Sequence, residues 1–284
     1  MSSNDGRGGA TTDLAAGSIT ALFHRLNRVL PENQQVLTAP GEMLASEALK
    51  LLRQHHYSQV PVVVAGEILG LFSYRSFSEA ILAATASKGG SKIALENLTV
   101  EECLEKGEFA RVTDEFESWF DSLDAHNAVL VGEPHRLQGI VTTMDVLRYL
   151  YEVASPFVLA AEMELGLRAL MRRAVTEERL AECATTSLST RYPPEKLPTS
   201  LEDMTFHDYV QIIGDGRHWP MFEPVFKSNR ERTRAKLEEM NDLRNDVFHF
   251  RKPSVEDHQR LGAFRDWVLT RARAAEARAK DGAV

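Results

Sequence analysis

Two periods of apolar spacing divide this chain. Over residues 35–84 the pattern steps by three and four through Ala45, Ala48, Leu49 and Leu52. It then becomes the β-rich run "VPVVV" and, past a turn at Ala65-Gly66-Glu67, "ILGLF". That succession predicts strand, helix, strand, strand, helix. The same order returns over residues 109–153, where "NAVLV" and "LQGIV" flank a longer turn around Pro134. Gly70 and Gly139 fall at matching places, as do Ser73 and Thr142, then Ser76 and Asp145. The first half therefore reads as a duplication: two β-α-β-β-α repeats, at about 33–84 and 99–153, within a module spanning 18–153. One unit alone leaves a sheet face uncovered, whereas two can bury those faces against each other.

From Pro156 the period is helical, which predicts an all-α bundle over 156–280 and an α+β chain overall. Pro156 suits a first helical turn ahead of "VLAAEMELGLRALMRRAV", and Pro193, Pro194 and Pro198 mark a loop. Thr205-x-x-Asp208 predicts a capped start for a short helix ending at Gly214. Ser228, with Glu231 three residues on, predicts the start of a long helix that ends by Pro253, and Ser254-x-x-Asp257 opens the last one. On the long helix Met240, Leu243, Val247 and Phe250 step by three, four and three and define the buried stripe.

Composition narrows the class. A chain of 284 residues, 43% hydrophobic and 26% charged, is neither fibrous nor disordered and has room for about two domains. Residues 1–17 are rich in Gly, Ser and Thr, lack a basic start and an apolar run, and read as a flexible tail rather than a signal peptide. No apolar run approaches the roughly 18 residues a membrane span needs, so no membrane partner is expected. Cys103 and Cys183 stand far apart without CxxC spacing, which fits a reducing cytoplasm. The nine histidines show neither HxxxH nor HxxEH spacing, and no metal site is expected. The net charge of -8 comes from the first half: residues 1–155 hold 12 Lys/Arg against 20 Asp/Glu, residues 156–284 hold 21 of each. Within the second half Lys227, Arg230, Arg232, Arg234 and Lys236 form a local basic run, either a solvated helix face or a surface for a phosphate backbone.

The second repeat ends its last strand with "GIVTTMD". A strand that opens a helix there presents free backbone N–H groups and the positive helix end, a seat for phosphate. Asp145 offers a carboxylate to the two hydroxyls of a ribose, and Thr142 a hydroxyl. Thr-x-x-Asp is equally a capping box for the helix that follows. The duplicated units with their Gly-hydrophobic-hydrophobic-Thr-x-x-Asp ending resemble a tandem pair of CBS domains over about residues 19–153. That resemblance implies clefts for adenine nucleotides (ATP, ADP or AMP) as regulatory ligands, contacted by Thr142, Asp145 and, in the first repeat, Ser73. Ser76 replaces the carboxylate in "GLFSYRS", so one competent cleft is expected rather than two. Arg75 could meet a phosphate there, or be an exposed, unpaired arginine.

The long helix carries "RNDVFH", residues 244–249. At about 100° per residue, Asn245 and His249 lie nearly opposite the apolar stripe as an i, i+4 pair, with Arg244 flanking them. That leaves a solvated polar face or a site. The string resembles the Arg-x4-His motif of HEPN domains, and the helical context agrees with that family over 156–280. The resemblance implies metal-independent RNA cleavage with Arg244 and His249 catalytic and Asn245 supporting, and no catalytic cofactor. Glu164 and Arg168, also i, i+4, either assist that site or form an ordinary helix salt bridge. Cleavage needs a base, an acid and a cation, and one chain supplies only one such histidine, which predicts a homodimer with a composite site. Together the two resemblances imply an adenylate-regulated endoribonuclease of the toxin or phage-defence kind. The alternative is a non-catalytic adenylate-sensing adaptor whose bundle binds RNA or a partner protein, and a third reading makes the CBS pair a ligand-free dimerisation module.

Overall fold

The computed structural model describes residues 25–30, 34–86, 97–251 and 253–281; the expected tail, 1–17, lies outside them. The chain divides into two compact units, 1–150 and 151–284. It is a mixed α+β protein whose C-terminal part is largely helical.

In the first unit α1 (Leu26–Val29) precedes β1 (Ala39–Pro40), α2 (Ala45–His55), β2 (Gln59–Val64), β3 (Glu67–Ser73) and α3 (Tyr74–Ala86). After β4 (Glu105–Lys106), the order returns as β5 (Phe109–Ala110), α4 (Phe120–His126), β6 (Ala128–Glu133), β7 (Arg136–Thr142) and α5 (Thr143–Ala174). The sheets run β1-β2-β3-β4 and β5-β6-β7. Each begins with a parallel pair, β1 on β2 and β5 on β6, and continues with an antiparallel hairpin.

The two hairpins match in register. Val62 faces Gly70 and Val131 faces Gly139, and each strand pair slips by one at the following residue. Ile68, Leu71, Ala128 and Leu130, drawn from both sheets, form one buried cluster, so the two repeats do cover each other's faces. A Cβ at Gly70 would lie 2.1 Å from the Glu105 carbonyl oxygen, so only glycine lets β4 pair so closely with β3. Gly70→Ala is therefore expected to cost at least about 2 kcal/mol, because backbone rather than a pliable side chain must move. Thermal unfolding of the variant checks this, and an unchanged midpoint would contradict it.

The second unit contains the later part of α5, then α6 (Glu177–Leu188), α7 (Phe206–Gly214), α8 (Trp219–Phe226), α9 (Arg230–Phe248) and α10 (Val255–Asp281). Met163, Leu167, Tyr209, Phe222, Leu237 and Met240 lie in one large core. Two expected caps are present. Thr205 and Asp208 form a reciprocal capping box on α7, and Ser254 and Asp257 exchange the same bonds at 3.1 and 3.0 Å.

Three expectations need correction. Pro156 does not open a helix; it lies inside α5, which runs unbroken from Thr143 to Ala174. The N-cap of α9 is Asn229, whose side chain accepts from the Arg232 N–H at 2.9 Å, rather than Ser228. The buried stripe of α9 keeps Met240, Leu243 and Val247 but not Phe250, which is 75% exposed. The helix has already ended at Phe248, and Phe250 turns the chain in the left-handed region at φ +57°. The Arg251 N–H then closes back onto the Asp246 carbonyl at 3.0 Å, the reversal that ends many helices. Among the described residues no helix is long and apolar enough to cross a membrane.

Candidate functional site

The sequence marks two places, one in each unit. In the first unit a cleft of about 890 Å³ gathers Ser73, Thr142 and Asp145, all three of the residues expected to meet a nucleotide. Thr142 and Asp145 sit where β7 gives way to α5, and they form the capping box that was the alternative reading. The Thr142 N–H and hydroxyl donate to Asp145 Oδ2 at 2.9 and 2.6 Å, and the Asp145 N–H returns to Thr142 Oγ1 at 3.2 Å. The two readings are compatible, since a carboxylate has about four acceptor positions and the cap uses only Oδ2. Thr142, by contrast, spends its hydroxyl proton on Asp145, so it orients the carboxylate and is not a free donor to phosphate.

Tyr57 and Arg148 also line this cleft, and sequence reasoning passed over both. Tyr57 is exposed and stacks on His55, which leaves an aromatic face for a base. Arg148 lies one helical turn after Asp145; that i, i+3 spacing was the available signal. At the first repeat's end Ser73 and Ser76 cap α3 with reciprocal 2.9 Å bonds. Arg75 is not unpaired: it meets Glu79 at 3.0 Å, Glu105 at 3.6 Å and the Ala125 carbonyl.

In the second unit α5 and α9 bring Glu164, Arg168, Arg244 and Asn245 together. The Glu164 carboxylate, 16% exposed, accepts from Arg168 and, through its other oxygen, from Arg244 at 3.4 Å. Glu164 is thus more than an ordinary i, i+4 surface partner. Arg168 also donates to the Tyr209 hydroxyl at 2.7 Å. Burial opposes the charge of Arg168, but its contacts with Tyr209 and Glu164 outweigh this and hold its pKa above the ordinary value. Arg244 lies 4.2 Å over the Phe248 ring and donates to Asn245 Oδ1 at 3.3 Å. Two guanidinium groups around one carboxylate leave a positive charge that is held in place and partly desolvated, the condition under which it acts most strongly on an anion.

His249 caps the end of α9 in an exposed position, one residue past the helix, and its backbone N–H bonds the Asn245 carbonyl at 2.8 Å. The five basic residues of 227–236 do not share a face. Lys227 ends α8 in the left-handed region. Arg230 and Arg234 pair with Glu231 and Glu238, each at 2.9 Å. Arg232 and Lys236 lie on the other side of the helix, and Lys236 stacks over Phe264 and Trp267 at 5.2 and 5.0 Å. Burial, more than the nearby Arg271, lowers the pKa of Lys236. Among the described residues no group of three His, Cys, Asp or Glu is placed to hold a metal ion.

The CBS-domain family model matches residues 32–83, so this chain carries a CBS domain there, over the first repeat. Similar solved structures include a CBS-domain-containing protein of Agrobacterium tumefaciens, 21% identical, with a TM-score of 0.39 over 45% of this chain and 94% of that one. A CBS-domain-containing protein of Bacillus anthracis is 20% identical, with a TM-score of 0.37 over 45% and 94% of the two chains. CBSX2 in complex with AMP is 17% identical, with a TM-score of 0.37 over 46% and 98%. No curated protein matches the chain.

Proposed function

We propose that this chain is a metal-independent endoribonuclease of the HEPN kind, in a domain over 156–280, whose activity responds to an adenine nucleotide held in the CBS cleft. The observation that carries the proposal is Glu164 of α5 held between Arg168 of the same helix and Arg244 of α9, the helix that also carries Asn245 and is capped by His249. His249 takes the proton of an RNA 2′-hydroxyl as the general base. The oxygen attacks the adjacent phosphorus, the bond to the 5′-oxygen breaks, and that oxygen leaves with a proton supplied by the histidine of a second chain. Arg244 faces the charge that builds on the phosphorus oxygens, and Glu164 holds its guanidinium for that task.

Two protonation states are needed at once and each chain brings one such histidine, so the active form is a homodimer. Tyr151, Val158 and Leu165 support this, being exposed apolar residues at seven-residue spacing on α5. Equilibrium sedimentation should find two chains; a monomer cleaving at full rate in dilute solution would contradict it. For the nucleotide, Asp145 Oδ1 takes the ribose, Tyr57 the base and Arg148 the phosphate. Asp145→Ala is expected to weaken AMP binding about 10- to 100-fold, since bonds to a carboxylate contribute about 1.5–3 kcal/mol. Calorimetric titration checks this, with unchanged affinity as the contrary result.

A second reading has its own support. His249 stands exposed at the helix end rather than enclosed in the Glu164 cluster, which suits an adaptor that binds RNA or a partner without cutting. Incubation of the full chain with total tRNA in EDTA separates the two, because only the nuclease yields discrete fragments.

A further inference from the structure

The two ends of the cleft in the first unit are built from equivalent positions, and they differ by one charge. Val62 and Val131, each opposite its repeat's glycine, pair on their other side with Ala39 and Ala110. Five residues before Ala39 stands Gln34, and five residues before Ala110 stands Glu105. Gln34 is neutral and bonds backbone: it accepts from the Ile140 N–H at 2.9 Å and donates to the Ile140 carbonyl at 3.2 Å. Glu105 turns to side chains instead. It accepts from the Ser73 hydroxyl at 3.2 Å, and its second oxygen lies 3.3 Å from His126 Nδ1 and 3.6 Å from the Arg75 guanidinium.

Ser73, Arg75 and His126 are the donors an incoming anion would need at this end. A carboxylate of the chain itself, 13% exposed, already engages all three. A further donor is in place without an acceptor. Gln59 pairs with Ser73 across the sheet and lines the same cleft, and its Nε2 is buried with no partner.

We infer that Glu105 sets the ligand count of the cleft: it occupies the first repeat's end as a built-in anion, so the cleft takes one nucleotide, at the Thr142 and Asp145 end. This rests on the nucleotide reading above. A phosphate brought to Ser73 meets a like charge at contact distance, and placing it there would strip Arg75 and His126 from Glu105. With glutamine at 105, as at the equivalent position 34, the repulsion goes and the donors are released. Ser76 still offers no carboxylate to a ribose, so a ligand there is held mainly by its phosphate.

Calorimetric titration of AMP into the full chain and into Glu105→Gln tests this. The unaltered chain is expected to take one AMP and the variant two, the second more weakly. Adding Asp145→Ala to the variant should weaken the original site about 10- to 100-fold and leave the affinity of the new site unchanged. Arg75→Ala in the otherwise unaltered chain should shift AMP affinity by no more than about twofold, because there Arg75 is held by Glu79 and Glu105 and meets no ligand. Two AMP on the unaltered chain, one on a folded Glu105→Gln, or a large loss in Arg75→Ala overturns the role of Glu105 and leaves the nucleotide reading standing. Binding of neither AMP nor ATP by any of these proteins overturns that reading, and the role of Glu105 with it.

Discussion

His249→Ala is expected to lower RNA cleavage by about 10²- to 10⁴-fold while leaving the protein folded, the span typical of losing one positioned acid or base. The side chain is exposed at the end of α9 and its loss opens no cavity, so circular dichroism and the unfolding midpoint should match the parent. Arg244→Ala should lower cleavage comparably but with a structural cost. Glu164 and Asn245 lose a partner and Phe248 loses the guanidinium stacked on it. Arg244→Lys separates charge from geometry: it restores a cation but not the planar fork, and should recover only part of the rate. Rates measured in EDTA on total tRNA decide the matter, and a His249→Ala protein that cuts at the parental rate would remove the histidine from the chemistry.

The largest stability effect is expected at Asp208. Its side chain is fully buried, and its oxygens accept from the Thr205 N–H and hydroxyl, both at 2.8 Å, and from Arg191 and Tyr192, both at 3.0 Å. Asp208→Ala strands all of these donors. Because Arg191 is itself 42% exposed, the ion pair is partly screened and most of the loss comes from the unpaired cap and hydroxyl groups. The expected cost is about 3 kcal/mol, or a fall of roughly 10 °C in the unfolding midpoint for a unit of this size. Asp208→Asn keeps an acceptor for the cap and should lose less; equal losses in both would show the charge, not the cap, to be decisive. The next residue is Tyr209, which accepts from Arg168 and donates to the Leu201 carbonyl at 2.6 Å. Loosening the start of α7 therefore reaches the Arg168–Glu164–Arg244 cluster.

Local features were the ones most readable in the sequence. The Thr205 and Ser254 caps need only residues three apart, and the repeat could be aligned because Gly70 and Gly139 answer the same steric demand beside a register slip. Where distant residues decide the outcome, local patterns failed. Phe250 fits a helical stripe by spacing, yet the chain turns before reaching it. Pro156 has the sequence of a helix start, but tertiary packing carries α5 through it. Arg244 meets Glu164 across 80 residues and Glu105 meets Ser73 across 32, separations at which spacing carries no information. The basic run of 227–236 looked continuous because proximity in sequence was counted, whereas the helix places alternate members on opposite sides.

The central claim is that a nucleotide governs RNA cleavage, and its most direct test is the initial rate of tRNA cleavage in EDTA as AMP is raised. The intact chain and Asp145→Ala would be measured side by side. A rate that changes with AMP in the intact chain, with the response displaced to higher AMP or lost in Asp145→Ala, is the expected result. An intact chain that cuts no RNA at any AMP concentration, or one that cuts at a rate AMP does not alter while AMP is bound, would contradict it.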